Sequence, residues 1–178
     1  MKSTKIVFGI VFLVISLFII TLTFFRVFYP INYREDIIAC CDQFNLPKEV
    51  VASIINAESR FDKNAVSHKG AIGLMQLLPT TAQQVANDLG ISFTPDDLYT
   101  PSTNILLGTY YLYTLLDRFN DLNTAICAYN AGPSKVSTWL KNSEYSTDQK
   151  TLYNTPYKET NNYLNKILRG QRIYKIYF

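Results

Sequence analysis

The apolar residues of this chain form two kinds of pattern: one unbroken run near the N-terminus and a series of helix-spaced stripes after it. Residues 6–25 carry no charge, and about 20 apolar residues in a helix can cross a bilayer about 30 Å thick. A cleaved signal peptide would have a shorter apolar segment ending in small residues, whereas this run ends in Phe24, Phe25 and Arg26. We therefore predict an uncleaved membrane anchor over residues 1–28, with a short cytoplasmic tail.

The charges on either side of the apolar run give little indication of its orientation across the membrane. Lys2 and Lys5 precede it and Arg26 and Arg34 follow it, so the excess of positive charge that marks the cytoplasmic side is weak. Farther along, residues 37–40 superficially resemble a lipoprotein cleavage box, but three charged residues separate them from the apolar run. We interpret residues 37–40 as the buried face of a helix.

Beyond the anchor the apolar spacing is that of α-helices almost throughout. Residues 34–44 have apolar side chains three and four positions apart, the pattern of a buried helical stripe. Asn45-Leu46-Pro47 interrupts the pattern, since proline disfavours helix in the residue before it and suits a new helix start. The next helix places four apolar side chains on one face: Val50, Val51, Ile54 and Ile55. Four residues after Ile54, the same stripe reaches Glu58.

Local signals mark the ends of the next helices. Thr80 and Gln83 fit a capping box that opens a helix, and Gly90 is suited to end it. Residues 95–98 have the composition of a short turn. Ser102 or Thr103 can cap a long helix that runs to residue 119.

The remaining chain continues the same helical pattern. Gly108 inside the long helix costs about 1 kcal/mol relative to alanine, which indicates a site of close packing. Further helices are predicted over residues 122–131, over 136–140 and from Pro156 onward, with a polar loop over 142–155. No segment alternates like a strand, so the fold class is all-α.

Composition and charge narrow the classes of function. A hydrophobic content of 48% allows a sizeable core, and the net charge of +3 comes from basic residues spread along the chain. We therefore do not expect a nucleic-acid partner. Cys40, Cys41 and Cys127 are an odd number of cysteines, which we interpret as core residues with one possible bridge through Cys127. His68 is expected on the surface, and no metal or other cofactor is predicted.

Glu58 is the first candidate for chemistry. A glutamate that continues an apolar face is desolvated, which raises its pKa and suits a general acid that must hold a proton near neutral pH. The alternative is a solvated residue at a helix end, or one paired with Arg60 or Lys63. The following loop contains two glycines and Gln76, which fit a ligand-binding loop as well as a plain connector.

Five ordered motifs give these residues a wider context. In chain order they are Glu58-Ser59-x-Phe61, Gly70-Ala71-x-Gly73-Leu74-Met75-Gln76, Asn104-Ile105 with Gly108, Ala128-Tyr129-Asn130-Ala131-Gly132-Pro133, and Glu159-Thr160 with Tyr163. Together they resemble the soluble lytic transglycosylase family of lysozyme-like, peptidoglycan-cleaving enzymes. The resemblance covers essentially everything after the anchor and implies a lysozyme-like catalytic domain over residues 29–178.

The resemblance also implies roles for individual residues. Glu58 would be the catalytic acid and base, and six residues would line or support the glycan cleft: Ser67, Gly73, Met75, Gln76, Tyr129 and Glu159. Leu78 stands where the family often has methionine, and Asn161 stands where it often has arginine. Neither departure touches the proposed acid.

The chain has no obvious second carboxylate for a conventional glycosidase. Asp62 is nearest along the sequence, but its neighbours Lys63 and Asn64 are typical of a turn. The resemblance implies a mechanism that needs no second acid, in which the substrate assists cleavage and a 1,6-anhydro sugar results. The alternatives are a goose-type lysozyme-like hydrolase that uses Asp62 or another acid, and a non-catalytic glycan-binding protein.

The expected partners follow from the resemblance and from the apolar run. They are peptidoglycan glycan strands for the domain and the cytoplasmic membrane for residues 6–25. We expect a monomeric, single-pass protein of the bacterial cell membrane, with its catalytic domain on the extracytoplasmic side.

Overall fold

The computed structural model describes residues 2–178, with only the helical backbone for residues 2–8. Eight α-helices follow one another in this part of the chain: α1 Lys2–Phe28, α2 Arg34–Phe44, α3 Lys48–Glu58, α4 Pro79–Leu89, α5 Pro101–Phe119, α6 Leu122–Ala131, α7 Pro133–Trp139 and α8 Lys158–Tyr174. A short 3₁₀ helix, Pro95–Tyr99, precedes α5. Within residues 2–178 there is no β-strand, only two isolated bridges around Ile72. The predicted all-α class is confirmed.

Helix α1 contains the predicted apolar run. Its segment Gly9–Phe28 has a mean hydropathy of 2.6 and buries none of its residues in the rest of the molecule. An exposed apolar helix of this length can cross a bilayer. The helix extends three residues past the predicted run, and the division into an anchor over 1–28 and a domain over 29–178 stays a prediction.

The core of the remaining chain is built around α3. All four apolar residues of its predicted stripe are fully buried: Val50, Val51, Ile54 and Ile55. Helix α8 packs against α3, where the Ser53 hydroxyl donates a hydrogen bond to the Ile167 carbonyl (2.9 Å). A Cβ on Gly170 would overlap Ser53, so glycine lets the two helices approach closely. The sequence stripe thus fixes which face of α3 is buried, and Glu58 follows at its end.

Gly108 has the role that its place in a helix predicts. It is buried in α5, and a Cβ there would overlap the side chain of Met75. Glycine therefore allows the loop that carries Met75 to lie directly on α5.

The predicted helix ends are correct in part. Gly90, with φ 68°, ends α4 as expected. The capping box of Thr80 and Gln83 is wrong, because α4 begins at Pro79, with Leu78 as N-cap. Likewise α5 begins at Pro101 rather than after a cap at residue 102 or 103. Proline has no N–H to leave unsatisfied and a backbone angle already suited to the first helical position, so it starts both helices earlier.

The later elements agree closely with the sequence pattern. Helix α6 has the predicted bounds, and residues 142–155 contain no regular helix or strand. Helix α7 starts at Pro133 rather than at 136, again at a proline. Helix α8 starts at Lys158, two residues after the predicted start.

The three cysteines are core residues, as predicted, but the bridge through Cys127 is wrong. All three are free and buried. Burial raises the pKa of both Cys41 and Cys127 to about 12, so these thiols stay protonated. His68 is exposed on the surface, as expected.

Candidate active site

A cleft of about 730 Å³ lies on one face of the helical domain. The end of α3, the loop between α3 and α4, the junction of α6 with α7 and the start of α8 all contribute to it. The side chains and backbone that line it are those of Glu58, Ser67, His68, Lys69, Ala71, Gln76, Leu77, Leu78, Thr81, Tyr111, Tyr129, Asn130, Ala131, Gly132, Pro133, Lys135, Tyr157, Glu159 and Thr160. Its size and mixed polar and apolar lining suit a sugar chain.

Glu58 lies in this cleft as the last residue of α3. The chain leaves the helix immediately, because Arg60 and Phe61 adopt the left-handed conformation with φ of 53° and 64°. Burial raises the pKa of the Glu58 carboxyl, while a hydrogen bond from Tyr163 and the charge of Lys166 act in the opposite direction. The predicted desolvation is therefore the largest effect, and Glu58 can keep its proton at pH values above those at which glutamate usually ionises.

Tyr163 contacts Glu58 directly, a role that the sequence motifs did not assign to it. Its hydroxyl donates to Glu58 Oε1 over 2.7 Å, from a residue 105 positions along the chain. Burial, and then the Glu58 charge, raise the pKa of Tyr163 well above its usual value. The phenol therefore stays protonated and serves as a hydrogen-bond donor to Glu58.

Lys166 lies one turn further along α8. Its ammonium donates to the Ala57 carbonyl over 2.8 Å, next to Glu58 in sequence. Among the described side chains, no cation lies within 4 Å of the Glu58 carboxylate, so the predicted alternative pairing with Arg60 or Lys63 is not formed. Lys166 influences Glu58 through its charge rather than through a direct ion pair.

The loop between α3 and α4 is held by its own backbone and by α5. Gln76 donates through Nε2 to the carbonyls of Ala65 and Gly73, each at 3.0 Å. Gly73 has φ 80°, and a Cβ there would overlap the Leu98 carbonyl and the Asn104 side chain. This loop is thus held in place and forms one wall of the cleft, rather than being a plain connector.

Asn104 holds this wall from behind, a role that its place in a sequence motif did not indicate. From inside α5 its Oδ1 accepts from the Met75 N–H (2.8 Å), and its Nδ2 donates to the carbonyls of Leu98 (2.8 Å) and Ile72 (3.0 Å). Tyr129 completes the support by donating its hydroxyl to the Met75 carbonyl over 2.9 Å. Burial raises the pKa of Tyr129 well above its usual value, so this donor also stays protonated.

The predicted site residues separate into two layers. Glu58, Ser67, Gln76, Tyr129 and Glu159 all line the cleft. Gly73 and Met75 are fully buried behind it and do not line it. They act on the cleft only through the shape of its wall.

The nearest candidate for a second carboxylate is turned away. Asp62 is exposed, does not line the cleft, and accepts the N–H of Asn64 through Oδ1 (2.9 Å), as the predicted turn residue would. Among the described side chains that line the cleft, only Glu58 and Glu159 carry a carboxylate. Glu159 is exposed in the first turn of α8, where it also favours the helix dipole.

Several lining residues escaped the sequence interpretation. One of them is Tyr111, whose ring lies 5.3 Å from that of Tyr129 and borders the cleft. Its neighbours Tyr110 and Tyr113 pack against Phe44 instead, and Tyr113 remains exposed at 39%. Further lining residues were not singled out for this role: Asn130, Lys135 and Tyr157. The helical period alone does not tell a cleft-facing aromatic residue from a core one.

The family to which these motifs point is decided by direct comparison. The family model described as "Transglycosylase SLT domain" matches residues 36–152, well over half of the chain. The chain belongs to this family. The described residues of this SLT-domain protein contain no group of three or more His, Cys, Asp or Glu side chains that could hold a metal ion.

Relatives and solved structures agree with this assignment. The chain is 31% identical over 153 residues to the soluble lytic murein transglycosylase of Escherichia coli, a match that covers 84% of this chain and 24% of that protein. It is 32% identical to the membrane-bound lytic murein transglycosylase C of Haemophilus ducreyi, covering 74% of this chain and 42% of that protein. An inactive mutant of lytic transglycosylase Slt from Pseudomonas aeruginosa is similar in structure, with a TM-score of 0.75 and 30% identity over 84% of this chain and 25% of that one. The SLT-domain protein thus spans about a quarter of the length of the first of these relatives.

Proposed function

We propose that this SLT-domain protein is a lytic transglycosylase that cleaves peptidoglycan glycan strands at the β-1,4 bond between N-acetylmuramic acid and N-acetylglucosamine. The observation that carries the proposal is Glu58, a carboxyl with a raised pKa in a cleft large enough for a sugar chain. Its membership of the family and the names of its relatives support the same activity.

Glu58 would act twice on the substrate. First it protonates the glycosidic oxygen, while the 2-acetamido group of the muramic residue stabilises the developing cation. Glu58, now a carboxylate, then removes the proton from the muramic 6-hydroxyl, which closes onto the anomeric carbon. The product is a 1,6-anhydro end. One residue can serve as acid and then as base because the second step is the reverse proton transfer.

The surroundings of Glu58 suit both of its protonation states. Burial favours the neutral acid that must be present at the start. Once the proton is transferred, the Tyr163 hydroxyl donates to the carboxylate at 2.7 Å and the Lys166 charge acts on it. These groups stabilise the intermediate state without forming the close ion pair that would keep Glu58 ionised from the outset.

The cleft residues would hold the glycan in place. Ser67, Gln76, Tyr129 and Glu159 offer hydroxyl, amide and carboxylate groups along the wall. Gly73 and Met75 would fix that wall from behind, as their burial and backbone hydrogen bonds indicate. Holding the 6-hydroxyl against the anomeric carbon, and excluding water there, is the task that separates anhydro formation from hydrolysis.

We also propose that α1 anchors the protein in the bacterial cell membrane. The apolar segment Gly9–Phe28 is long enough to span a bilayer, and relatives with membrane-bound names fit this placement. The domain would lie on the extracytoplasmic side, because that is where peptidoglycan lies. We propose that it acts there as a monomer.

The roles of the three carboxylates can be tested together on isolated peptidoglycan. Glu58→Gln should lower kcat by roughly 10²–10⁴-fold, the usual contribution of a general acid or base. Asp62→Asn should leave kcat and KM close to those of the parent, because Asp62 is exposed in a turn outside the cleft. A Glu58→Gln variant that lyses walls as fast as the parent would refute the assignment.

Glu159 is the residue through which the competing function, hydrolysis, would operate. Because it lines the same cleft, it could act as a base for water in a hydrolase. Under our proposal Glu159→Gln should raise KM more than it lowers kcat, since Glu159 would bind substrate rather than take part in the reaction. A loss of kcat equal to that of Glu58→Gln would favour hydrolysis with two carboxylates.

A further inference from the structure

A second pocket lies on the opposite side of α3, at the point where α1 meets the helical domain. It encloses about 240 Å³ and is lined by residues of α1, α3 and α8 together with Tyr29 and Arg60. Three of the lining residues are cationic: Arg60, Lys166 and Arg169. Among the described side chains that line it there is no carboxylate. The pocket therefore presents positive charge with no anion of its own.

No carboxylate in the described part of the chain lies within ion-pair distance of the three cations of this pocket. Among the described side chains, the only ion pairs within 4 Å are Arg34 with Glu35 and Lys48 with Asp42. Two charges act on Lys166: that of Glu58, which lies outside the lining of this pocket, and the weaker effect of Arg60 inside it. Cations held together in a pocket whose lining contains no carboxylate favour the binding of an anion there.

The pocket sits at the end of the apolar run. Val27 and Phe28, the last residues of α1, form part of its lining, and Tyr29 follows them. Aromatic rings cluster at this end of α1, where the Phe24 and Phe28 centroids are 4.7 Å apart. If α1 spans the bilayer as proposed, this end lies at the depth of the lipid headgroups, where aromatic residues are enriched.

Hydrogen bonds hold the end of α1 against the domain. Asn56 of α3 donates through Nδ2 to the Phe28 carbonyl (3.0 Å). Tyr174 of α8 donates its hydroxyl to the Pro30 carbonyl (2.8 Å). These two bonds connect the end of α1 and the residues just after it to α3 and α8, the helices beside the cations. The pocket is therefore kept at a fixed depth rather than on a free tether.

We propose that this pocket binds the phosphate of an anionic phospholipid headgroup from the membrane that holds α1. Guanidinium and ammonium groups are the usual partners of phosphate. Phe28 and Tyr29 supply apolar surface beside them for the glycerol and upper acyl region. The site would hold the domain with the pocket side of α3 and α8 towards the membrane. The cleft of Glu58 would then lie on a different face. This inference rests on the proposed anchoring of α1 and not on the proposed chemistry.

The test uses the full chain in nanodiscs that contain phosphatidylcholine with a minority of phosphatidylglycerol, followed by native mass spectrometry of the released protein. The parent should retain phosphatidylglycerol in preference to phosphatidylcholine. In Arg60→Gln/Arg169→Gln, retention should fall about 25-fold, since each basic residue near an anionic surface contributes roughly fivefold. A matched control, Lys141→Gln/Lys150→Gln, removes two exposed charges outside the pocket and should retain lipid like the parent.

A second arm distinguishes lipid from soluble phosphate. In nanodiscs of phosphatidylcholine alone, glycerol phosphate is added to the buffer, and we expect no adduct on the parent. A glycerol phosphate adduct as abundant as the retained phosphatidylglycerol would overturn the lipid assignment. Equal lipid retention by the pocket variant and the parent would overturn the site itself. A chain that fails to enter nanodiscs at all would contradict the anchor and the lipid site together, while leaving the chemistry of Glu58 untouched.

Discussion

At the scale of single residues, neighbouring groups shift the pKa of Glu58 in opposite directions. Burial at the end of an apolar helix face raises its pKa, and the Tyr163 hydroxyl and the Lys166 charge lower it. The position of Glu58 at the end of a stripe is visible in the sequence, and so is its desolvation. The Tyr163 contact spans 105 residues and depends on how α8 packs on α3, which no local pattern specifies.

Removing the Tyr163 hydroxyl should change the pH dependence of activity. Tyr163→Phe deletes a hydrogen bond that favours the Glu58 carboxylate, so the pKa of Glu58 should rise further. Because the proposed reaction needs protonated Glu58, the activity that is lost as pH increases should persist to higher pH, by about one unit. The measurement is the pH profile of kcat/KM on soluble glycan fragments.

Tyr157→Phe is the matched control for Tyr163→Phe. Tyr157 also lines the cleft, but its hydroxyl makes no hydrogen bond with Glu58. Its profile should keep the alkaline limb of the parent. An unshifted limb in Tyr163→Phe would mean that Tyr163 does not tune Glu58.

Replacing Glu58 should also stabilise the fold at neutral pH. Its pKa is raised in the folded state, so the free energy of unfolding falls as pH rises from the pKa of unfolded glutamate to that of folded Glu58, because the unfolded chain releases its proton first. Glu58→Gln has no charge to bury, and the gain should be about 0.5–2 kcal/mol near pH 7, in the range of other stabilising substitutions. Below the pKa of unfolded glutamate the gain should vanish. Thermal unfolding followed by circular dichroism at both pH values measures it, and a destabilised variant at pH 7 would contradict the buried acid.

At the scale of helices and loops, the stripes of apolar residues predict most of the architecture. The bounds of α2 and α6 follow from spacing alone, because a buried helical face leaves a period of about 3.6 residues. The starts of α4 and α5 do not, since Pro79 and Pro101 take the first helical position ahead of the residues that resemble caps. The wall of the cleft depends on Asn104, whose side chain is inside α5 and contacts a loop about 30 residues away, a contact set by tertiary packing.

The contact between α5 and that wall can be tested at Gly108. Gly108→Ala would drive a Cβ into Met75, and the overpacking should cost about 1–3 kcal/mol despite the better helix propensity of alanine. Because Tyr129 donates to the Met75 carbonyl, we also expect KM to rise. Asp117→Ala, at an exposed position of the same helix, should be neutral or slightly stabilising. Urea unfolding of both variants gives the comparison, and equal stabilities would show that the close packing is dispensable.

The polar segment between α7 and α8 is ordered by one carboxylate. Asp148 accepts hydrogen bonds from the backbone N–H groups of Lys150 and Thr151, both at 2.8 Å. These bonds, with others from side chains, hold the pKa of Asp148 well below its usual range. Asp148→Asn should therefore speed amide hydrogen exchange at residues 150 and 151, whereas Asp117→Asn should not. Unchanged exchange in Asp148→Asn would show that the loop is held by other contacts, such as that of the Leu152 N–H with Thr124.

At the scale of the whole molecule, the apolar helix, the cleft and the basic pocket form one arrangement. Helices α3 and α8 carry Glu58 of the cleft with its hydrogen-bond donor Tyr163, and they also carry Asn56 and Arg169 of the basic pocket. The cleft and the junction with α1 therefore share the same pair of helices. The sequence predicted an anchor and a catalytic domain, but not that they are joined by specific hydrogen bonds, since these arise only once α3 and α8 pack together.

Under the proposed mechanism, Glu58 turns the substrate's own 6-hydroxyl, rather than water, into the nucleophile. The most direct measurement is mass spectrometry of peptidoglycan digested by the full chain in water labelled with heavy oxygen. We expect muropeptides that are lighter than hydrolysis products by one water and contain no heavy oxygen. Products with a reducing end that has taken up one heavy oxygen would contradict the claim and identify the protein as a hydrolase.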